Sequence, residues 1–372
     1  MKIYNYPSKE ARRRVQQIAG RDLGFKQKDL LAVTRILEDV RRNGDAAVVK
    51  YARRFDAPGI SAQALKATAA EMSAALKQVD RPFVRSLNKA IRQIESFHRQ
   101  QLPKSWMDTR REGTLLGQIV HPVDVAGVYV PGAKGGTTPL VSSVLMGALP
   151  ARIAGVKEIV MVTPSKKDGS IDPHLLVAAK KVGVKSVFKI GSAWAIGALA
   201  YGTQSVPRAD VIVGPGNMYV TLAKKIVSGT VGIDMIAGPS EILIIADETA
   251  DPVHLAADML SQAEHDVMAS SVLLTPSPQI AKATASQVKQ QLSQLARKDI
   301  AQASIKRFGT IMVVPDIQAA LDIANEFAPE HLELMVKAPF EVVGNLKNAG
   351  AIFLGAYTPE PVGDYIAGPN HV

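Results

Sequence analysis

The chain has 372 residues, 47% hydrophobic and 21% charged, enough for two or three packed domains and incompatible with a largely disordered protein. It has no cysteine, which excludes disulfides, thiolate metal sites and iron–sulfur ligation, and no apolar run of the ~18 residues a membrane span needs; without a signal core at the N-terminus, the expected setting is the cytoplasm, with no membrane partner. The net charge of +10 divides into +13 over residues 1–111 and −3 beyond, and aromatic content is 5%, so the excess reads as a solvated basic face and not as a nucleic-acid surface.

Residues 1 to about 110 read as mostly helical. Apolar residues recur at helical spacing over 28–56, broken at Asn43-Gly44, and again over 61–76 and 81–101. Trp106 and the charged stretch after it mark the exit into strand-rich sequence. From about 115 the period changes. Strand-like runs over 115–132 end in a turn, and 139–155 reads as a helix. Strands at 158–165, 184–191 and 209–216 then alternate with helices at 172–183, 193–202 and 218–229. A second series begins with the strand-rich stretch 234–248 and the helix 250–265. Strand 270–277, the long amphipathic helix 278–296, strand 310–316 and helix 316–328 follow, then strands 332–336 and 351–355 and a loop to the end. Regular strand–helix alternation with short connections predicts parallel βαβ units. The fold class is therefore α/β, with two Rossmann-like parallel-sheet halves and an N-terminal helical region.

Ser261-Gln262-Ala263-Glu264-His265 closes an apolar-periodic run. On a helix, Gln262 and His265 present an amide oxygen and an imidazole on one face. Asp364, in Gly363-Asp364-Tyr365, could add a carboxylate, and this set makes a partial shell for Zn²⁺. In Pro329-Glu330-His331, His331 could act as a base near a metal-held substrate. His371 follows Gly368-Pro369-Asn370 in a Gly-rich terminal stretch. Ordinary helix-end and loop histidines are the alternative for all three. His98, His121, His174 and His254 read as surface or capping residues.

Gly214-Pro215-Gly216-Asn217 follows a strand and opens a helix, where exposed N–H groups suit a phosphate or another polar ligand group. The full G-x-G-x-x-G is absent, and a tight βα turn is the equal alternative. Residues 131–136 join strand to helix in the same way, with Tyr129 just before them. Ser240, in Gly238-Pro239-Ser240-Glu241, could hydrogen-bond a hydroxyl or amino group, and no G-x-S-x-G elbow surrounds it.

GVYVPG (127–132), SSVLMGALPARIAGV (142–156), ALAYGT (198–203), VIVGPGNMYVT (211–221), AGPSEILIIAD (237–247), LSQAEH (260–265), APEHLEL (328–334) and VGDYIAGPNHV (362–372) occur in that order. On these segments the chain resembles histidinol dehydrogenase, the zinc- and NAD-dependent family that ends histidine biosynthesis. The resemblance implies two successive hydride transfers to two NAD⁺, taking L-histidinol to L-histidine through the aldehyde, in a homodimer. It implies Gln262, His265 and Asp364 as zinc ligands that also meet the substrate, and Glu330 and His331 as the acid/base pair. Ser240 and His371 become further substrate contacts, and Tyr129, Asn217 and the position of Trp194 become NAD contacts. The expected division is an N-terminal helical arm over 1–25, a discontinuous first α/β domain from 26–128 and 241–372 carrying the zinc and acid/base residues, and a second α/β domain over 129–240 on the NAD side. The lack of cysteine fits, because the gem-diol route to the acid that the resemblance implies needs no thiol.

Two departures stand out. Many family members carry a Gln that contacts NAD where Trp194 stands; Trp cannot accept a hydrogen bond, so stacking would have to replace it. Family members also continue past the NHV motif into a C-terminal helical segment, which supplies a Glu to the substrate and a His to the zinc of the partner subunit. The expectation is a C-terminally truncated chain, one protein ligand short. A paralogous dehydrogenase of another small polar alcohol and a non-catalytic protein that kept the fold are the rival readings.

Overall fold

The computed structural model describes residues 1–21, 24–132, 139–236 and 238–369, with Asp364 described by its backbone alone. In chain order the strands are β1 (Lys2–Asn5), β2 (Trp106–Asp108), β3 (Leu116–Gln118), β4 (Val125–Tyr129), β5 (Glu158–Thr163), β6 (Ser186–Lys189) and β7 (Val211–Val213). Then come β8 (Gly232–Ile233), β9 (Glu241–Ala246), β10 (Ser270–Thr275), β11 (Thr310–Val313), β12 (His331–Met335) and β13 (Ala351–Leu354). The principal helices are α1 (Lys9–Ala19), α2 (Gln27–Asn43), α3 (Asp45–Phe55), α4 (Ala69–Ala74), α5 (Arg81–Arg99), α6 (Val141–Ala154) and α7 (Pro173–Lys181). They continue with α8 (Ser192–Tyr201), α9 (Met218–Val227), α10 (Pro252–Ala263), α11 (Pro278–Leu292), α12 (Lys298–Phe308) and α13 (Ile317–Phe327).

Contacts divide the chain into two units, Met1–Gly24 with Gly238–Gly363, and Phe25–Ala237 with Asp364–Asn370. The first holds a six-stranded sheet in the order β1-β11-β10-β9-β12-β13, the second a five-stranded sheet in the order β6-β5-β4-β7-β8. Every pairing in both sheets is parallel. In each, the chain winds outward over three strands and then returns to the other side of the first. This doubly wound pattern follows from right-handed βαβ crossovers. Strands covered on both faces are buried throughout, all six residues of β10 and all five of β12.

Four expectations needed correction. The segment 1–25 is not simply a helical arm, because β1 pairs in register with β11 as an edge strand, Lys2 against Thr310 through Asn5 against Val313. Four residues ahead of a charged helix give too short an alternation to read. The segment 26–128 packs with the five-stranded sheet and not with 241–372. The cause is α8, which is buried on every side and needs a cover. Helix α2 supplies it through Leu37 and Val40, which approach so closely at Gly197 that a Cβ there would lie 3.1 Å from Leu37 Cδ2. Finally, α12 lies between the long helix and β11, where the sequence reading left a connection, and the terminal loop contains a wide helical turn over Gly363–Ala367.

The α2–α8 contact yields a measurable expectation. Leu37→Ala removes a side chain that is 1% exposed and should lower unfolding stability by about 2–5 kcal/mol in a urea titration. Leu31→Ala on the same helix, where the side chain is 48% exposed, should fall within about 0.5 kcal/mol of the parent.

Candidate active site

In a parallel βαβ unit the helix runs back against the strands, so its C-terminal turn arrives at the amino ends of the sheet. That is where α10 delivers Gln262, beside the first residue of β9, Glu241, and the first residue of β12, His331. The two strands are neighbours, with His331 in register with Ile242. Gln262 is 1% and His331 2% exposed.

Four polar groups interlock there. His331 Nδ1 lies 3.1 Å from the main-chain oxygen of Glu241 and 3.0 Å from Gln262 Oε1. A carbonyl oxygen only accepts, so Nδ1 carries the hydrogen, and in neutral imidazole the lone pair falls on Nε2. The main-chain N–H of Glu241 donates to Glu330 Oε2 at 3.1 Å, and that oxygen is 3.9 Å from His331 Nδ1. One residue's peptide groups therefore hold both members of the expected acid/base pair. The Glu241 side chain turns to Arg21, whose Nη2 lies 2.5 Å from Oε1. Burial pushes the Glu241 carboxyl up to about 7, Arg21 pulls it down, and the Glu330 charge raises it.

A second polar pair sits behind the first. Asp258 precedes Gln262 by one helical turn and Glu333 follows His331 by two strand residues, so each shares its neighbour's face. Glu333 is 1% and Asp258 8% exposed. Burial drives both carboxyls up, and the charge of Asp258 and its hydrogen bond raise Glu333 further. Two carboxylates cannot hydrogen-bond to each other, so the contact between Glu333 and Asp258 needs a proton on one of them, while the Glu360 N–H donates to Glu333 Oε1 at 3.0 Å.

In the other unit, expected site residues gather at the carboxyl ends of the five-stranded sheet, where its winding reverses between β4 and β7. Gly214 sits at φ +115, and a Cβ there would lie 2.2 Å from the Tyr129 carbonyl oxygen, so only glycine fits. Lys224, 3% exposed, donates to Gly214 O at 3.0 Å and pairs with Asp234, and Asp234 Oδ2 accepts from Gly214 N at 2.7 Å. Asn217 Oδ1 caps α9 by accepting from Tyr219 N and Val220 N at 3.0 and 3.2 Å. Tyr129 is 3% exposed, with its hydroxyl oxygen accepting from Ser192 N at 3.1 Å. Burial pushes the nearby Asp56 carboxyl up to about 7.

Several predicted residues stand differently from expectation. Helix α10 ends at Ala263, so His265 lies in the exposed turn beyond it, tied back by its N–H to Gln262 O at 3.2 Å. Trp194 is 4% exposed and stacks on Tyr51 and Phe55 at centroid distances of 5.9 and 5.4 Å. Its ring faces meet protein where a cofactor ring was expected. His98 is buried, with Nδ1 2.6 Å from Gln101 Oε1, and is no surface residue. Ser240 immediately precedes β9 and its carbonyl accepts from Ser270 N at 3.0 Å. The Asp364 side chain and His371 lie outside the described residues, and among those described no three His, Asp or Glu side chains cluster as a metal site. Sequence reasoning missed Glu241, Arg21, Lys224 and the Asp258–Glu333 pair. Glu333, a carboxylate flanked by the apolar residues Leu332, Leu334 and Met335 of β12, was the one readable signal.

A match to the family described as histidinol dehydrogenase spans residues 24–372. The histidinol dehydrogenase of Desulfotalea psychrophila is 59% identical over 341 residues, covering 92% of this chain and 79% of that one. That of Carboxydothermus hydrogenoformans is 52% identical over 340 residues, covering 91% and 79%. The crystal structure of histidinol dehydrogenase from Elizabethkingia anophelis superposes with a TM-score of 0.93 at 36% identity, covering all of this chain and 84% of that one.

Two outcomes are expected of the buried groups. Lys224→Met leaves Asp234 without its partner and should cost about 3–5 kcal/mol in chemical denaturation. For Asp258 and Glu333, folded pKa values raised above the unfolded ones mean that the pair's stabilisation is complete below the unfolded values and is lost as pH rises through the folded ones. Glu333→Gln still offers a donor to Asp258 without titrating. Its melting temperature should therefore fall less than the parent's between about pH 5 and about pH 8, measured by differential scanning calorimetry.

Proposed function

The chain belongs to the histidinol dehydrogenase family, and from that premise we propose how its residues divide the work. It is an NAD-dependent oxidoreductase of histidine biosynthesis acting on histidinol. The observation that carries the assignment is the state of His331, whose Nδ1 hydrogen is fixed by Glu241 O and Gln262 Oε1. A carbinol is a poor hydride donor until its O–H proton leaves, and the lone pair at His331 Nε2 takes that proton. Glu330, held by the Glu241 N–H, orients and deprotonates the water that hydrates the aldehyde. NAD⁺, when bound, accepts the hydride in each of the two oxidations.

Gln262, His265 and Asp364 would hold a Zn²⁺ ion. The donor chemistry fits: an amide oxygen has two lone pairs, and Gln262 Oε1 commits one to His331, leaving the other for a cation beside an imidazole and a carboxylate. Bound there, zinc would fix the substrate's amine and imidazole nitrogens and so orient the carbinol carbon. Ser240 and His371 are the proposed further substrate contacts. Asn217 and the Gly214 turn, held at the amino end of α9, are the proposed NAD contacts. Tyr129 supports that end of the sheet by holding the Ser192 N–H. A cytoplasmic homodimer completes the reading. It is supported by the apolar side chains exposed on the β2–β3 hairpin, Trp106, Met107, Leu116 and Ile119 among them.

NADH formation from histidinol by the zinc-loaded protein tests the assignment, and its absence would overturn it. His331→Asn should lower kcat by about 10²–10⁴-fold while bound zinc, read by atomic absorption, stays at the parental level.

A further inference from the structure

We propose that Arg21, carried by the N-terminal segment, is a positioning residue for the Glu330–His331 pair and acts through the side chain of Glu241. The inference rests on the roles assigned to that pair above.

The main chain of Glu241 touches both, through its N–H to Glu330 and its carbonyl to His331. Beyond those main-chain bonds and its ladder pairing with Ser270, Glu241 has a side-chain anchor at the start of the strand. That anchor is Arg21, 4% exposed, with its guanidinium 5.0 Å from the centre of the Phe308 ring. Nε and Nη1 of Arg21 are buried without a hydrogen-bond partner among the described residues. A cation left so poorly solvated is held in place by the carboxylate, and the carboxylate is held by it. The charged groups facing the pair are Glu330 before β12 and Arg14 on α1, with the titratable His331 ring beside them.

The segment delivering Arg21 is firmly built. Strand β1 pairs with β11, Val15 and Ile18 of α1 enter the core with Leu243 and Met312, and the Arg21 N–H returns to Ile18 O at 3.3 Å. Arg14 Nε adds a 2.9 Å bond to Thr310 Oγ1. The family match begins at residue 24, so this segment lies outside it and still reaches the reacting pair at one remove.

The experiment compares the full chain with Arg21→Met, Arg21→Lys, Glu241→Gln and the Arg21→Met/Glu241→Gln double variant, each zinc-loaded and checked for folding by thermal melting. Arg21→Met should lower kcat by roughly 10–100-fold with KM for histidinol and NAD⁺ within about twofold. The acid limb of its pH profile should move to higher pH, because Arg21 lowers the Glu241 pKa and its removal lets the carboxyl protonate earlier on descent. Arg21→Lys should recover part of the rate. The double variant should be less impaired than the sum of the singles. ¹⁵N-histidine NMR should show a single Nδ1–H tautomer for His331 in the parent and a mixture in Arg21→Met. Parental kcat and pH profile in Arg21→Met, strict additivity in the double variant, or an unchanged tautomer would each overturn the proposal. An inactive parent whose His331 tautomer responds to Arg21→Met would instead overturn the histidinol reading and leave the positioning role standing.

Discussion

The site depends on a constraint of parallel sheets: neighbouring strands start at the same edge. Because β9 and β12 are adjacent and in register, the first peptide of one stands beside the first side chain of the other. Glu241 then has an N–H and a carbonyl aimed at Glu330 and His331 before any side chain contributes. Backbone groups cost no rotamer entropy to hold, so this orientation is more rigid than one built from side chains alone. Gln262 arrives at the same edge because a crossover helix must return there. Ligands of doubly wound sheets ordinarily sit at the carboxyl ends; here the proposed proton-transfer pair occupies the opposite edge, where strand starts and helix ends meet.

The other unit uses its sheet in the more usual sense. Its glycine turn follows β7 at the carboxyl edge, and the constraint there is steric, since Gly214 approaches the Tyr129 carbonyl too closely for any Cβ. A buried cation and carboxylate grip both peptide groups of that glycine. Such a pair gives less net stability than an apolar contact of equal volume, but it specifies one loop conformation. Rigidity of that kind matters where exposed N–H groups must meet a polar ligand.

Local periodicity made most of the fold legible. The strand–helix alternation of both series was legible because buried parallel strands are short apolar runs bounded by turns, though α12 was read as a connection, and the break between α2 and α3 was visible at Asn43-Gly44. What failed was anything needing a partner distant in sequence. β1 is recognisable only beside β11, and the allegiance of α2 only beside Gly197. The site divides along the same line. Glu330, His331 and Gln262 were found as motif residues, and the structure joins Gln262 to His331. Arg21 has no local signal, since an arginine after a basic helix looks like any solvated residue. Trp194 misled because its burial depends on Tyr51 and Phe55, far off in the chain.

The spacing of polar residues along α10 and β12 explains why the interface between them tolerates four polar groups. A helix repeats its face every four residues and a strand every two, so Asp258–Gln262 and Glu333–His331 advance together. Each helix residue then meets one strand residue, amide to imidazole near the edge and carboxylate to carboxylic acid deeper in. Both contacts match a donor to an acceptor, which a buried interface requires. The deeper pair can do so only while one proton is retained, and burial ensures that retention. The outer pair needs the Nδ1 hydrogen for the same reason, and that leaves Nε2 as the basic atom. The tautomer assigned to His331 thus follows from the demand that buried polar groups be matched, before any consideration of substrate.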